Sequence, residues 1–225
     1  MIDIVKVPLS DKKTINTRLS PPIILGEMKY VWNNETDSPM DEYTVYDWEI
    51  WENKNNRVIF LGGDHSVTLS TYPKTKATHL VVLDSHFDLY GSPDHPFHGN
   101  WLKVLIERKL INPHNVTILG VRAWDRTEMT YAKEKGINYV LFDSVLPDIT
   151  EPTYLSLDVD VVDPAFAPGT GYIEPGGWTS RRLLEIVKEL RNKNLVAMDI
   201  VEVDSKRDIN NMTSKLGAKL IEEFL

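Results

Sequence analysis

Three short stretches of this sequence carry side chains able to do chemistry, and each directly follows an apolar run. Val58–Leu61 leads into Gly62-Gly63-Asp64-His65-Ser66, and Leu80–Leu83 leads into Asp84-Ser85-His86-Phe87-Asp88. Tyr154–Leu157 leads into Asp158-Val159-Asp160-Val161-Val162-Asp163-Pro164. Open α/β sheets bind ligands at the carboxyl ends of their strands, where these stretches would fall. In extended chain, residues two apart point to the same side. That spacing predicts one face for Asp84, His86 and Asp88, and one for Asp158 and Asp160. With His65, four carboxylates and two imidazoles then meet at one sheet edge. Unpaired, such acids repel and raise one another's pKa values. Two divalent cations balance the four negative charges. Oxygen donors with a few imidazoles suit Mn²⁺. A metal pair that acidifies a shared water does hydrolytic chemistry.

Each stretch also has a plainer reading. Gly-Gly-Asp-His alone is commonly a polar turn, and Asp163 before Pro164 can simply bond to the backbone of its own loop. Recurrence at three strand ends of one chain favours the site.

The elements that must position these groups are legible as apolar runs rich in Val, Ile and Leu: Arg57–Leu61, His79–Leu83, Val116–Val121, Tyr139–Phe142, Thr153–Leu157 and Leu195–Ile200. Continuous runs suit strands buried on both faces, as in a parallel sheet. Helical patterns lie between them at Trp101–Lys109, Glu128–Lys135 and Arg181–Lys193, the last with Thr179 or Ser180 available as a cap, and at Thr213–Leu225. The alternation predicts a three-layer α/β/α fold with a mostly parallel central sheet, formed as a single domain over residues 1–225. Before Arg57 the pattern is weaker. Tyr43–Trp51 alternates like a strand, and Trp32–Asp41 reads as a polar loop.

Composition narrows the function classes. The 225 residues are 42% hydrophobic and 26% charged, with net charge −8 and no cysteine, so neither a disulfide nor a thiolate ligand is available. No basic tract points to nucleic acid, and no apolar run is long enough to span a membrane. Met1–Ser10 lacks the apolar block of a secretory signal. A cytoplasmic location fits.

Gly62–Ser66, Val81–Asp88, Ser156–Pro168 with Gly169-Thr170-Gly171, Glu174–Gly177 and Asp199–Val203 together resemble the ureohydrolase family of arginases, agmatinases and related guanidino hydrolases. The match spans roughly residues 57 to 225, in the family's order. The resemblance implies an arginase-like α/β/α fold, two Mn²⁺ per chain, and hydrolysis of a guanidino group to urea and an amine. It places His65, Asp84, Asp88 and Asp158 on one metal and Asp84, His86, Asp158 and Asp160 on the other, with Asp84 and Asp158 shared. Asp88 also orients the attacking water, and Asp163 braces its loop. His98 resembles the family's proton-carrying histidine, although His95 lies close by, and Glu202 resembles the glutamate that pairs with the substrate guanidinium. Leu89-Tyr90 after Asp88 is similar to agmatinases, where arginases carry an Asn that helps hold the α-carboxylate. Agmatine, cleaved to putrescine and urea, is therefore the leading substrate, with Tyr90 in the substrate site. Asp125 aligns with an acid that reads the α-amino group in arginases, and Phe87 keeps formimidoylglutamase in view, beside arginase and guanidinobutyrase activities. A homo-oligomer, trimer or hexamer, follows from the resemblance.

Competing readings differ in observable ways. A histone-deacetylase-like amidohydrolase keeps one metal, so binding of two separates it. A metallophosphoesterase needs Gly-Asn-His, where this chain has Gly99-Asn100-Trp101. A catalytically silent regulatory or polyamine-binding family member would turn over no substrate.

Overall fold

The computed structural model describes every residue except 32, 36–38, 143–145 and 147, so the loop expected over Trp32–Asp41 falls partly outside the described residues. Among the described residues eight strands form one sheet: β1 (Ile2–Val7), β2 (Tyr43–Asp47), β3 (Arg57–Gly62), β4 (His79–Leu83), β5 (Val116–Val121), β6 (Asn138–Leu141), β7 (Thr153–Asp158) and β8 (Leu195–Val201). Their order is β2-β1-β3-β8-β7-β4-β5-β6, and every ladder between them is parallel.

The apolar runs are continuous because both sheet faces are covered. On β3, Ile59 and Leu61 enter one core while Val58 and Phe60 enter the other, and Val81/Leu83 and Leu80/Val82 divide likewise on β4. Helices α1 (Ser20–Met28), α5 (Ser180–Arg191) and α6 (Met212–Phe224) supply Ile24, Leu183, Ile186, Leu220 and Phe224 to the first core. Helices α2 (Val67–Thr71), α3 (Trp101–Glu107) and α4 (Arg126–Lys135) supply Val67, Leu102, Leu105 and Ala132 to the second. The three-layer α/β/α expectation holds. Helix α4 is delimited by its own sequence: Asp125 and Glu128 form a capping box, and Gly136 closes the last turn at φ 70°.

Register sets up the chemistry. Leu61 pairs with Ile200, Ile200 with Leu157, and Leu157 with Leu83. Leu61, Ile200, Leu157 and Leu83 thus form one row across β3, β8, β7 and β4, and the polar residues follow shortly beyond it. Asp84 and Asp158 each follow the paired leucines by one position, on adjacent strands.

Departures from expectation lie mostly near the N-terminus. The strand expected over Tyr43–Trp51 stops at Asp47, and a 3₁₀ turn over Trp48–Ile50 sends Trp48 and Trp51 against Phe60, with ring centroids 6.2 and 5.2 Å away. β1, α1 and α2 were not anticipated. In β1 the buried Asp3 interrupts the apolar pattern; it accepts hydrogen bonds from Trp51 Nε1 and Asn56 Nδ2, both at 2.9 Å. Phe142 lies outside β6, with φ 64°.

Candidate metal centre

Beyond β3 the chain turns through Gly62 and Gly63. A Cβ on Gly63 would lie 1.9 Å from the carbonyl oxygen of Leu9, so glycine is required for the N-terminal segment to pack against this turn. Asp64 braces the turn by accepting from Ser66 N at 3.0 Å, Asp11 N at 2.6 Å and Thr14 Oγ1 at 2.7 Å. His65 is presented inward and fully buried.

His65 Nε2 is held 2.9 Å from Ser156 Oγ, and Ser156 donates at 2.9 Å to Asp199. Asp199 also accepts from Thr68 Oγ1 and Tyr154 OH, both at 2.7 Å. The ring is thereby fixed with Nδ1 facing Asp84 Oδ2 and Asp88 Oδ2, each at 3.0 Å, and Asp158 Oδ2 at 3.3 Å. Nδ1 nevertheless makes no hydrogen bond, and neither does Asp84 Oδ2, although both are buried. Atoms converging on a point without bonding one another are what a metal coordination sphere requires.

The other oxygen of Asp84 faces a second group. His86 Nδ1 lies 3.0 Å from Asp160 Oδ2 and 3.4 Å from Asp84 Oδ1. Backbone amides orient these acids: His86 N donates to Asp84 at 2.7 Å, Ser85 N to Asp160 at 3.0 Å, and Asp160 N to Asp158 at 2.8 Å. Trp101 Nε1 donates to Asp88 at 2.6 Å. In each of the sets His65–Asp84–Asp88 and Asp84–His86–Asp160, the donor atoms lie within 4.8 Å of one another, so the two sets could hold two ions through a shared Asp84. A third set, Asp11–Asp64–His98, is already joined by hydrogen bonds between its own members.

All six predicted groups come together, but not by alternation along extended chain. β4 ends at Leu83 and β7 at Asp158; Asp160 sits in a 3₁₀ turn, and Asp88 has φ 53°. The loops curl to deliver the side chains, and the positive φ at Asp88 is strain of the kind concentrated at functional positions.

Protonation reflects the crowding. Burial, then the charges of Asp160 and Asp84, push the Asp158 carboxyl well above its ordinary range, and burial with the charge of Asp84 raises Asp88. Burial alone would lower the two imidazoles. Asp158, Asp84 and Asp88 outweigh it at His65, and Asp160 and Asp84 outweigh it at His86, so both are raised.

A cavity of ≈230 Å³ opens over this cluster, lined by His86, Asp88, Tyr90, Phe97, His98, Gly99, Glu128 and Tyr172. His98 is buried and His95 exposed, which separates the two candidates. Tyr90 stands at the rim, 54% exposed. Glu202 is buried with φ 63°; Oε1 accepts from His65 N at 2.9 Å, while Oε2 is buried with no partner. Burial, then the charges of Asp158 and Asp64, raise its pKa well above the usual value. Asp163 braces its loop as expected, accepting from Gly176 N at 2.7 Å and Ala165 N at 2.9 Å. Asp125 does not reach the cavity. Its carboxylate accepts from Thr127 N at 2.7 Å as the cap of α4. A larger cavity, ≈580 Å³, lies at the opposite sheet edge beside His79 and His114, away from this chemistry.

Ser156, Asp199, Trp101, Asp11 and Tyr172 were not singled out from sequence. For two of them a signal was present: Ser156 and Asp199 interrupt strands otherwise apolar on both faces, and they pair across β7 and β8. Buried polar residues there need partners. Ser156→Ala is expected to free the His65 ring and weaken metal binding by about 10- to 100-fold, read by competition against a chelator of known affinity. Unchanged affinity would remove Ser156 from this role.

This fold and site define an α/β/α scaffold whose parallel strands end in two sets of metal-ligating side chains that share Asp84. A family model described as Arginase family matches residues 23–225. The chain belongs to that family, the ureohydrolases. It is 36% identical over 180 residues to an agmatinase of Bacillus cereus, covering 73% of this chain and 61% of that protein. It is 33% identical over 189 residues to a guanidinobutyrase of Pseudomonas aeruginosa, covering 73% and 58%. The chain thus spans about three fifths of the length of these relatives. A formimidoylglutamase structure from Bacillus subtilis superposes with TM-score 0.85 at 23% identity, covering 99% of this chain and 85% of that one, a likeness of fold.

Proposed function

We propose that this chain hydrolyses the guanidino group of a small cationic substrate, agmatine first, using two Mn²⁺ held by His65, Asp84, His86, Asp88, Asp158 and Asp160. The observation that carries the reading is the split Asp84 carboxylate, with one oxygen facing each donor set, beneath a cavity whose lining among the described residues has two acids, Asp88 and Glu128, and no Lys or Arg. The oxygen-rich donor set suits manganese. Bound there, the metal pair supplies Lewis acidity and an acidified water.

The chain's own residues do the rest. Asp88, fixed by Trp101, orients the attacking water. Glu202 receives the guanidinium, whose planar N–H edge matches a planar carboxylate and whose positive charge favours the ionised acid. His98, at the cavity wall, gives its proton to the departing amine. Ser92, the hydroxyl available in the Gly91–Phe97 loop for a substrate carboxylate, is already bonded to Asp94 at 2.7 Å. A tail bearing only an ammonium fits this lining better than one bearing a carboxylate.

The test is urea release by the Mn²⁺-loaded protein from agmatine, arginine and guanidinobutyrate, with formamide assayed for formimidoylglutamate. Agmatine is expected to lead by at least about tenfold, the selectivity of one missing polar contact. A lead for a carboxylate-bearing substrate overturns the tail reading. Silence across the panel with two metals bound overturns hydrolysis of these substrates.

A further inference from the structure

The N-terminal segment reaches the cavity by an unexpected route. After β1 the chain crosses Gly63, where Leu9 O accepts from Asp64 N at 3.2 Å, and arrives at Asp11. Asp11 Oδ2 lies 2.7 Å from Nδ1 of His98. Its other oxygen accepts from Lys13 N at 2.6 Å and from Thr14 N and Thr14 Oγ1 at 3.0 Å, while its own N–H donates to Asp64. The carboxylate therefore has little freedom to turn. Burial works to raise its pKa, but donation from Thr14, His98 and Lys13 outweighs that and holds it below its ordinary value. On the far side of the ring, Nε2 faces the cavity, 3.3 Å from Tyr172 OH.

We propose that Asp11 is the positioning residue of His98, taking the Nδ1–H bond and thereby keeping Nε2 as the proton-exchanging atom turned to the cavity. The inference rests on the reading of His98 as proton carrier given above. A carboxylate facing Nδ1 fixes the neutral ring as the Nδ1–H tautomer and stabilises the imidazolium formed when Nε2 gains a proton. In the reaction, Nε2 takes the proton released by the attacking water and passes it to the leaving nitrogen as the C–N bond breaks. The Nδ1 proton never leaves.

Asp11→Asn tests this with little disturbance, because its Oδ1 can still accept from Lys13 and Thr14. The amide facing His98 becomes a donor, which favours the opposite tautomer. The expected result is a fall in kcat of about 10²-fold, the low end for acid–base catalysis, with KM little changed. In the ¹⁵N spectrum of the histidine side chains, His98 should switch from Nδ1–H to Nε2–H. Ile15→Ala alters an exposed side chain of the same segment that is not among the groups bonded to Asp11, and should leave both readouts near wild type. Wild-type kcat or an unchanged tautomer in Asp11→Asn overturns the proposal, as does an equal loss of kcat in Ile15→Ala. Should the wild-type protein turn over no guanidine at all, the functional reading fails, and the tautomer alone still decides what Asp11 does.

Discussion

Asp158→Asn is expected to lose both metals and to lower turnover by more than about 10³-fold, since a metal pair contributes several kcal/mol at about 1.4 kcal/mol per decade. Asp158 leaves β7 beside Asp84, placed there by the pairing of Leu157 with Leu83, and its Oδ2 stands 3.3 Å from His65 Nδ1. Asn keeps the shape and the Oδ1 acceptor for Asp160 N, but turns an N–H toward the cluster and removes one of its negative charges. The metal-free fold should tolerate the change well. Burial and neighbouring acids already disfavour the ionised form of Asp158, so a neutral residue relieves repulsion. The signature is a melting temperature that matches or exceeds wild type without metal and no longer rises when Mn²⁺ is added, whereas wild type is stabilised by mass action. Metal content by mass spectrometry completes the measurement. Retention of two metals with wild-type turnover would reject the ligand assignment. Retention of one metal would show that Asp158 serves a single ion.

The chemistry was more legible in the sequence than the geometry delivering it. Strands buried on both faces leave unbroken apolar runs, so β3, β4, β5, β7 and β8 were readable nearly to the residue, and the polar groups just past them marked the sheet edge. The loops' curvature was not readable. Positive φ at Asp88 and the 3₁₀ turn carrying Asp160 are imposed by packing and by amide bonds from Ser85, His86 and Asp160. Asp125 was legible in a different way. An acid three residues before Glu128 and directly before a helix is a capping box by local sequence, a role the resemblance did not point to. β1 and the segment after it were obscure because their polar residues are satisfied far along the chain: Asp3 by Trp51 and Asn56, and Asp11 by His98. No window of sequence contains both partners.

Glu202→Gln should separate substrate binding from metal binding. Carboxylate–guanidinium bonds are charge-assisted at about 1.5–3 kcal/mol each, so losing two lowers kcat/KM by roughly 10²–10⁴-fold. Gln can keep the acceptor for His65 N, so His65 stays in place and metal content should be unaffected. The amide's N–H groups then oppose the donors of the guanidinium, which offers no acceptor in return. Stability should move the other way. In the metal-free protein Glu202 Oε2 is buried without a partner, so the ionised acid is disfavoured there. Because the folded pKa lies well above the unfolded one, at about 4.3, the unfolded chain ionises first as pH rises. Wild-type stability therefore carries no penalty from this group below about pH 4 and declines as pH climbs toward the folded pKa. Gln does not titrate, so the variant's melting temperature should exceed wild type's near pH 7 and converge with it near pH 4. A variant with reduced metal content would place Glu202 among the ligands. One with wild-type kcat/KM would leave the guanidinium without its anchor, and the buried, unpartnered oxygen would need another explanation.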